Sequence, residues 1–400
     1  MTRTLFAGGL LFDGTGADPA IADITVEDGR VVEIGRGLDG DEQVDLAGKA
    51  VLPGLFDCHV HVVFSTIDEL QNIHTPFSYR FYQAEQNLKA TLRTGITTVR
   101  DAGGADLGVK QAQADGLIAG PRMQISLRMI SQTGGHGDPW TVSGSDVEAF
   151  PSHPGIPDTT VDGPEEMRQV VRSLIRQGAD VIKVATSGGV LSPRDNPRHA
   201  HFRPDELEML VHEATAAGIW VMAHAQATDG IKNGIRAGIR SIEHGIFLDD
   251  EAIDMMLQRG TWLVPTLVAP QGVIRAADEG AAIPELALAK AREVVSIHRD
   301  AFRRAVAAGV KVAMGTDSGV TPHGRNLEEL QLMVEGGMTP TQALVATTRS
   351  AAELMGLEGD LGTLEEGKRA DLVIVDGDPL EVADLSSRIA AVYQDGRQVV

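Results

Sequence analysis

The stretch Val51-Leu-Pro-Gly-Leu-Phe-Asp57-Cys58-His59-Val60-His61 decides how the rest of this chain is read. An apolar run reaches Pro53-Gly54, turns, and re-enters as a short extended segment. Side chains alternate faces along a strand, so His59 and His61 point the same way. Two imidazoles two residues apart on one strand face form a clip for a metal ion. Taken alone, the pair reads equally well as two unrelated histidines near a strand end. Cys58 should face the opposite side, into packing.

Upstream of this stretch, residues 1 to about 56 read as short strands with tight turns. Asp13-Gly14, Asp28-Gly29 and Gly35 punctuate β-type runs, and nothing there has helical period. The C-terminal end looks alike, with Ala370 to Asp376-Gly377, Ile389 to Tyr393, and Asp395-Gly396 leading into the last residues. The two ends, 1–56 and 365–400, are expected to pair into one small β-domain, leaving 57–364 as a second domain.

Downstream, the chain alternates. Strand-like runs are expected at His59–Phe64, Gly95–Asp101, Met123–Arg128, Asp180–Ala185, Ile219–His224, Ser241–His244, Trp262–Thr266 and Val310–Met314. Helix-period segments lie between most of them, such as Glu165–Gln177, Pro204–Ala217, Asp249–Gln258 and Glu285–Ala308. Gly178, Gly218, Gly260 and Gly309 stand where these helices should stop. Pro204 and Thr339-Pro340 are helix starts with proline in the first turn. Eight strand candidates alternating with helices over roughly 300 residues match a (β/α)8 barrel, an α/β fold. A doubly wound open sheet is the rival, but no Gly-x-Gly-x-x-Gly follows a strand to support it. The longest stretch without an element, Gly134 to Thr160, is read as a functional loop.

Composition narrows the function. The 400 residues include 56 acidic against 35 basic side chains, a formal net charge of −21. Nucleic acid and anionic membranes would be repelled, so the expected partner is a small-molecule substrate. The single cysteine excludes an intrachain disulfide and fits a reducing compartment. No secretory signal or bilayer-length apolar run is evident, so a cytoplasmic location is expected.

In such a barrel the chemistry sits at the C-terminal ends of the strands. Those ends offer His59 and His61 on the first strand, Lys183 on the fourth, His224 on the fifth, His244 on the sixth and Asp317 after the eighth. A lysine inside a buried strand needs an ion pair with a neighbour, or carboxylation by carbon dioxide to a carbamate. His224 and His244 could singly be satisfied core histidines, and Asp317 a turn aspartate. All six at one rim are not readily a coincidence.

The pattern resembles the amidohydrolase superfamily. Pro53-Gly-Leu-Phe-Asp57-Cys-His59-Val-His61, Lys183, Ala223-His224-Ala225, Ile242-Glu-His244-Gly and Met314-Gly-Thr-Asp317-Ser carry the likeness over nearly the whole chain. The resemblance implies a (β/α)8 barrel with a β-sandwich built from both termini, and homo-oligomers. It also implies two divalent cations, with His59, His61 and Asp317 holding one and His224 and His244 the other. A carboxylated Lys183 and a hydroxide would bridge them. Zinc suits these donors, and manganese, cobalt or iron are admitted. The implied activity is hydrolysis of an amide bond, with Asp317 moving the proton from the nucleophile to the leaving amine. Lys183 argues against the one-metal deaminase branch.

Within the superfamily the likeness is to Xaa-Pro dipeptidase-like peptidases, with imidazolonepropionase-like enzymes as close relatives. Asp180–Val190, Gly134-Gly-His136-Gly-Asp138 and Thr228–Lys232 carry it. A dipeptide or N-acyl amino acid is the implied substrate. A cyclic amide, lactone, carbamate or phosphoester is the alternative, since the same nucleophile attacks all of them. A non-catalytic binding relative would lack ligands, and none of the six is missing here. Gln226 is a substrate-contacting candidate and a departure, since relatives carry His or Tyr there, so side-chain specificity is not carried across. His136 and His323 are further candidates for contact with the substrate carbonyl or carboxylate. Arg194, Arg198, His199 and His201 could capture a carboxylate. His74, His153, His212 and His298 are read as ordinary structural or surface histidines.

Overall fold

Two Asp-Gly pairs build matching hairpins at opposite ends of the chain. In the computed structural model, which describes residues 2–141, 143–148, 150–192 and 195–400, Asp28-Gly29 joins β2 (Ala20–Glu27) to β3 (Arg30–Gly35). Asp395-Gly396 joins β14 (Ile389–Gln394) to β15 (Arg397–Gln398). All four turn residues have positive φ, as a two-residue turn of this hand requires. The turns touch: a Cβ on Gly29 would lie 2.9 Å from the Asp395 carbonyl oxygen.

The two ends share one eight-stranded sheet. Its path is β15-β14-β13-β5-β1-β2-β3, with β1 (Thr4–Leu11) also pairing β4 (Glu42–Asp45). The seam is antiparallel pairing of β13 (Leu372–Asp376) with β5 (Lys49–Pro53). Phe6, Ile24, Val51, Leu372, Ile374 and Tyr393 pack on it, with Phe6 edge-on to Tyr393 at 5.0 Å.

Between these ends the structure is mixed α/β, with parallel strands. One sheet runs β6 (Leu55–Val60), β7 (Ile96–Asp101), β8 (Arg122–Ile125); the other runs β9 (Val181–Ala185), β10 (Trp220–Ala225), β11 (Ser241–His244), β12 (Trp262–Val264). β6, β7 and β9 are buried along their whole length, as parallel strands covered on both faces must be. Helices Pro164–Arg176, Pro204–Ala216, Asp250–Arg259 and Glu285–Ala308 lie close to their expected spans. Thr339 and Gln342 cap the helix Pro340–Ala346 reciprocally, at 3.2 and 2.8 Å.

Backbone bonds link the two parallel sheets at both borders. Asp180 N donates to Ile125 O at 2.8 Å and Ile130 N to Lys183 O at 2.8 Å. At the other border Val310–Met314 differs from its expected strand. It bonds Leu263 on one side and Cys58 on the other, but Met314 N turns away to Ala346 O at 2.9 Å. The ladder is thereby reduced to a single bridge at Val312. Cys58 is buried against Phe56, Trp262 and Val264.

Candidate metal centre and cavity

His59 is the penultimate residue of β6, and His61 lies just beyond its end. Buried Asp57 fixes what faces them. Its carboxylate accepts from Thr316 N at 3.1 Å, Thr316 Oγ1 at 2.6 Å and Asn326 Nδ2 at 2.8 Å. These bonds dock the Gly315–Ser318 turn against the histidine strand, and Asp317 N donates to His59 O at 2.7 Å. Asp317 and His244 both have left-handed backbones, φ +61 and +71, a conformation that concentrates at functional sites.

The rings are oriented from behind. His59 Nδ1 meets Glu243 Oε2 at 2.8 Å, His61 Nδ1 meets Gly103 O at 2.7 Å, and His244 Nδ1 meets Thr266 Oγ1 at 2.7 Å. Each bond uses Nδ1 and leaves Nε2 for the centre. His224 is turned the other way, with Nε2 3.2 Å from Gly188 O. Asp317 Oδ1 lies 3.2 Å from His61 Nε2 and 3.5 Å from His59 Nε2. Lys183 Nζ lies 3.4 Å from His59 Nε2. Ligand atoms of His59, His244 and Asp317 fall within 4.8 Å of one another.

Electrostatics suit coordination. Burial, reinforced by the nearby Lys183 charge, holds His59, His224 and His244 well below the usual histidine range, so the rings are neutral. Burial would raise Asp317, but His59, His61 and Lys183 outweigh it and hold the carboxylate ionised. Burial brings the Lys183 amine down to about 8. Burial would lower His61, but Asp317 outweighs it and raises the ring above the usual histidine range, so His61 must shed a proton to ligate. With three neutral imidazoles, an ionised carboxylate and a buried amine beside it, the donor set fits divalent cations.

The six residues line one cavity of about 640 Å³, together with His136, Gln226, Arg128, Trp140 and His298. His136 stacks on His224 with ring centroids 4.1 Å apart, and its Nδ1 meets Ser192 Oγ at 2.7 Å. Gln226 is buried, and its Oε1 has no hydrogen-bond partner among the described residues. The loop after β8 supplies Trp140, Glu148 and Phe150 to the wall. His298 belongs to the same wall, although the sequence marked it as ordinary; its Nε2 donates to His244 O at 2.8 Å.

His323 is placed elsewhere. It is absent from the cavity wall, and its Nε2 donates to the carbonyls of His61 and Phe64 at 3.2 Å each. Its role as read from the structure is to clamp the segment after β6. The described members of the Arg/His-rich insertion, Arg198, His199 and His201, do not line the cavity either. Arg198 pairs with exposed Glu293 at 2.7 Å, His201 is buried, and Arg194 lies outside the described residues. Glu243, Arg100 and Arg128 carry no role in the sequence reading; the only signal was charge inside or just after a buried strand.

Burial pushes His323 down to about 4, whereas an unfolded histidine titrates near 6.5. Between those values the unfolded chain binds the extra proton, so stability rises with pH up to about 6.5 and is flat above. Thermal melts of His323→Gln should therefore lose less stability than the wild type on going from pH 7 to 5. An unchanged pH slope would remove His323 as a contributor.

A model of the amidohydrolase family matches residues 50–399. Ochratoxinase of Aspergillus niger is 35% identical over 400 aligned positions, covering 94% of this chain and 82% of that protein. The crystal structure of a Xaa-Pro dipeptidase with bound methionine in the active site superposes with a TM-score of 0.90 at 34% identity, covering 99% of both chains. A prolidase complexed with N-methylphosphonate-L-proline superposes with a TM-score of 0.91 at 35% identity, covering 100% of this chain and 99% of that one. The chain belongs to the amidohydrolase family and is a hydrolase acting on C–N bonds.

Proposed function

We propose that this enzyme hydrolyses the amide bond of a dipeptide or N-acyl amino acid at a site for two divalent cations. The observation that carries the reading is the convergence of His59, His61, Lys183, His224, His244 and Asp317 on one cavity. His59, His61 and Asp317 would hold one cation, His224 and His244 the other, and carboxylated Lys183 would bridge them. When bound, zinc, or manganese, cobalt or iron in its place, would supply an acidified water and polarise the scissile carbonyl.

The protein's own groups do the rest. Asp317, held ionised beside His61, takes the proton of the attacking water and delivers it to the leaving amine nitrogen. His136 would donate to the substrate carbonyl, a role supported by its bracing against Ser192 and the His224 ring. Gln226 offers the cavity an amide oxygen that has no partner among the described residues. His323, bonded to two backbone carbonyls, is not part of this reading.

The same proposal covers architecture. The two parallel sheets, joined at both borders by the bonds at Ile130 and Val312, are read as a (β/α)8 barrel over 57–364. The eight-stranded sheet of 1–56 and 365–400 is read as the separate β-domain. Homo-oligomeric assembly and a cytoplasmic setting belong to the proposal too. They are supported by the exposed side chains of Leu70, Ile73, Phe77 and Tyr82 and by the lone buried cysteine.

The test is a screen of dipeptides and N-acyl amino acids with zinc, manganese or cobalt added, alongside metal analysis of protein purified without chelator. Turnover with close to two metals per chain is expected. Fewer than one tightly bound metal per chain, with no amide cleaved, would end this reading.

A further inference from the structure

Two arginines of the cavity wall, Arg80 and Arg128, have no task in the proposed function. Arg80 donates Nη2 to Asn72 O at 3.2 Å, and Arg128 is the one whose contacts point to a ligand. It follows β8 on a tight turn, with its N donating to Ser126 O at 2.8 Å, and is 5% exposed. Among the described residues its Nη1 has no hydrogen-bond partner. Its Nη2 reaches Glu148 Oε1 at a long 3.4 Å, while Glu148 Oε2 is engaged by Ser152 N at 2.7 Å. Arg100 shows how this chain treats a structural buried guanidinium: Nε, Nη1 and Nη2 are all bonded, at 2.7, 3.3 and 2.9 Å.

An unmet guanidinium N–H in a buried wall is costly, and a chain with 56 acidic residues had no shortage of partners to offer. The planar fork matches a carboxylate in two-point contact. Two more polar atoms of this wall lack a hydrogen-bond partner among the described residues, Gln226 Oε1 and His298 Nδ1. With His298 Nε2 donating to His244 O, both are acceptors, and Gln226 Oε1 is the amide one. It would repel a carboxylate and suit an amide N–H, so the negative end of a ligand belongs at Arg128.

We infer that Arg128 binds the free carboxylate of the substrate, which restricts the enzyme to amides bearing a carboxylate and disfavours their neutral counterparts. This rests on the amide-hydrolase reading above.

The test pairs each member of an N-acetyl amino acid set with its C-terminal carboxamide and follows release of the acetyl group. The wild type should favour the acids. Arg128→Met should lower the acid-over-amide ratio of kcat/KM by about ten- to a hundredfold, the usual effect of losing a charge-assisted bond in a buried site. Arg128→Lys, which keeps the charge without the fork, should fall between. Equal use of acids and amides by the wild type, or an unchanged ratio in Arg128→Met, overturns the inference while leaving amide hydrolysis standing. If no compound is cleaved, the hydrolase substrate reading fails, and thermal-shift binding of the same set decides the carboxylate site. Acids stabilising the wild type but not Arg128→Met uphold it; no stabilisation by any acid, or equal stabilisation of both proteins, overturns it.

Discussion

Replacing Lys183 by alanine is expected to lower turnover on the order of a thousandfold or more and to loosen the metal pair. The magnitude follows from the several kcal/mol that a two-metal centre contributes to charge development in the transition state, at about 1.4 kcal/mol per tenfold in rate. Lys183 lies in the middle of β9 at 2% exposure. The ion pair that a buried lysine ordinarily needs is missing among the described residues; the neighbour at hydrogen-bonding distance is His59 Nε2, at 3.4 Å. Burial lowers the amine to about 8, which raises the share of the neutral form that reacts with carbon dioxide. Carboxylation forms an Nζ–C bond, releases a proton, and turns one poor ligand into two oxygens.

Three controls separate this from a packing role. Lys183→Arg keeps charge and reach but cannot form the carbamate, so it should be as inactive as alanine. Lys183→Met removes a buried charge at similar volume and should hold or gain thermal stability while losing activity. Short carboxylic acids added to Lys183→Ala should restore part of the turnover by standing in for the carbamate. Wild-type rate and metal content in Lys183→Ala would remove the bridged two-metal reading.

Much of this site could be read from the sequence because strand period and ligand chemistry point the same way. His59, Lys183, His224 and His244 lie in runs apolar enough to be strands, and the strand–helix order puts their ends on one side. The Asp-Gly pairs at 28–29 and 395–396 announce their hairpins because that turn needs positive φ twice. What could not be read depended on contacts between distant segments. Val310–Met314 has a strand's composition, yet its bonds are divided among Leu263, Cys58 and Ala346. His323 follows Asp317 by six residues but turns onto backbone carbonyls. His298, on a long helix, reaches the cavity only because that helix packs behind His244. Glu243 stood inside the Ile242-Glu-His244 motif, but its partners Arg100 and His59 come from two other strands. No local pattern announces such a triad.

That triad carries the second large effect. Glu243 is fully buried and accepts from Arg100 Nη2 at 2.9 Å, Ser241 Oγ at 2.5 Å and His59 Nδ1 at 2.8 Å. It therefore ties β11 of one parallel sheet to β6 and β7 of the other. Glu243→Leu strips the counter-charge from a guanidinium that is 3% exposed, and breaking a buried pair this way costs about 3–5 kcal/mol. Glu243→Gln makes a finer cut. Its amide oxygen can still serve Arg100 and Ser241, which turns the NH2 toward His59 Nδ1. To accept that bond His59 must move its proton to Nε2, the nitrogen that faces Asp317 and the cavity. A ring protonated there has no lone pair to give a cation, so metal affinity should fall about ten- to a hundredfold, as is usual when a ligand's supporting partner is lost. The two variants should thus separate: Glu243→Leu losing the more in a denaturant melt, Glu243→Gln losing metal and rate while melting closer to the wild type. If metal titration of Glu243→Gln gives wild-type affinity at wild-type turnover, Glu243 is only a structural counter-ion for Arg100 and does not set the His59 tautomer.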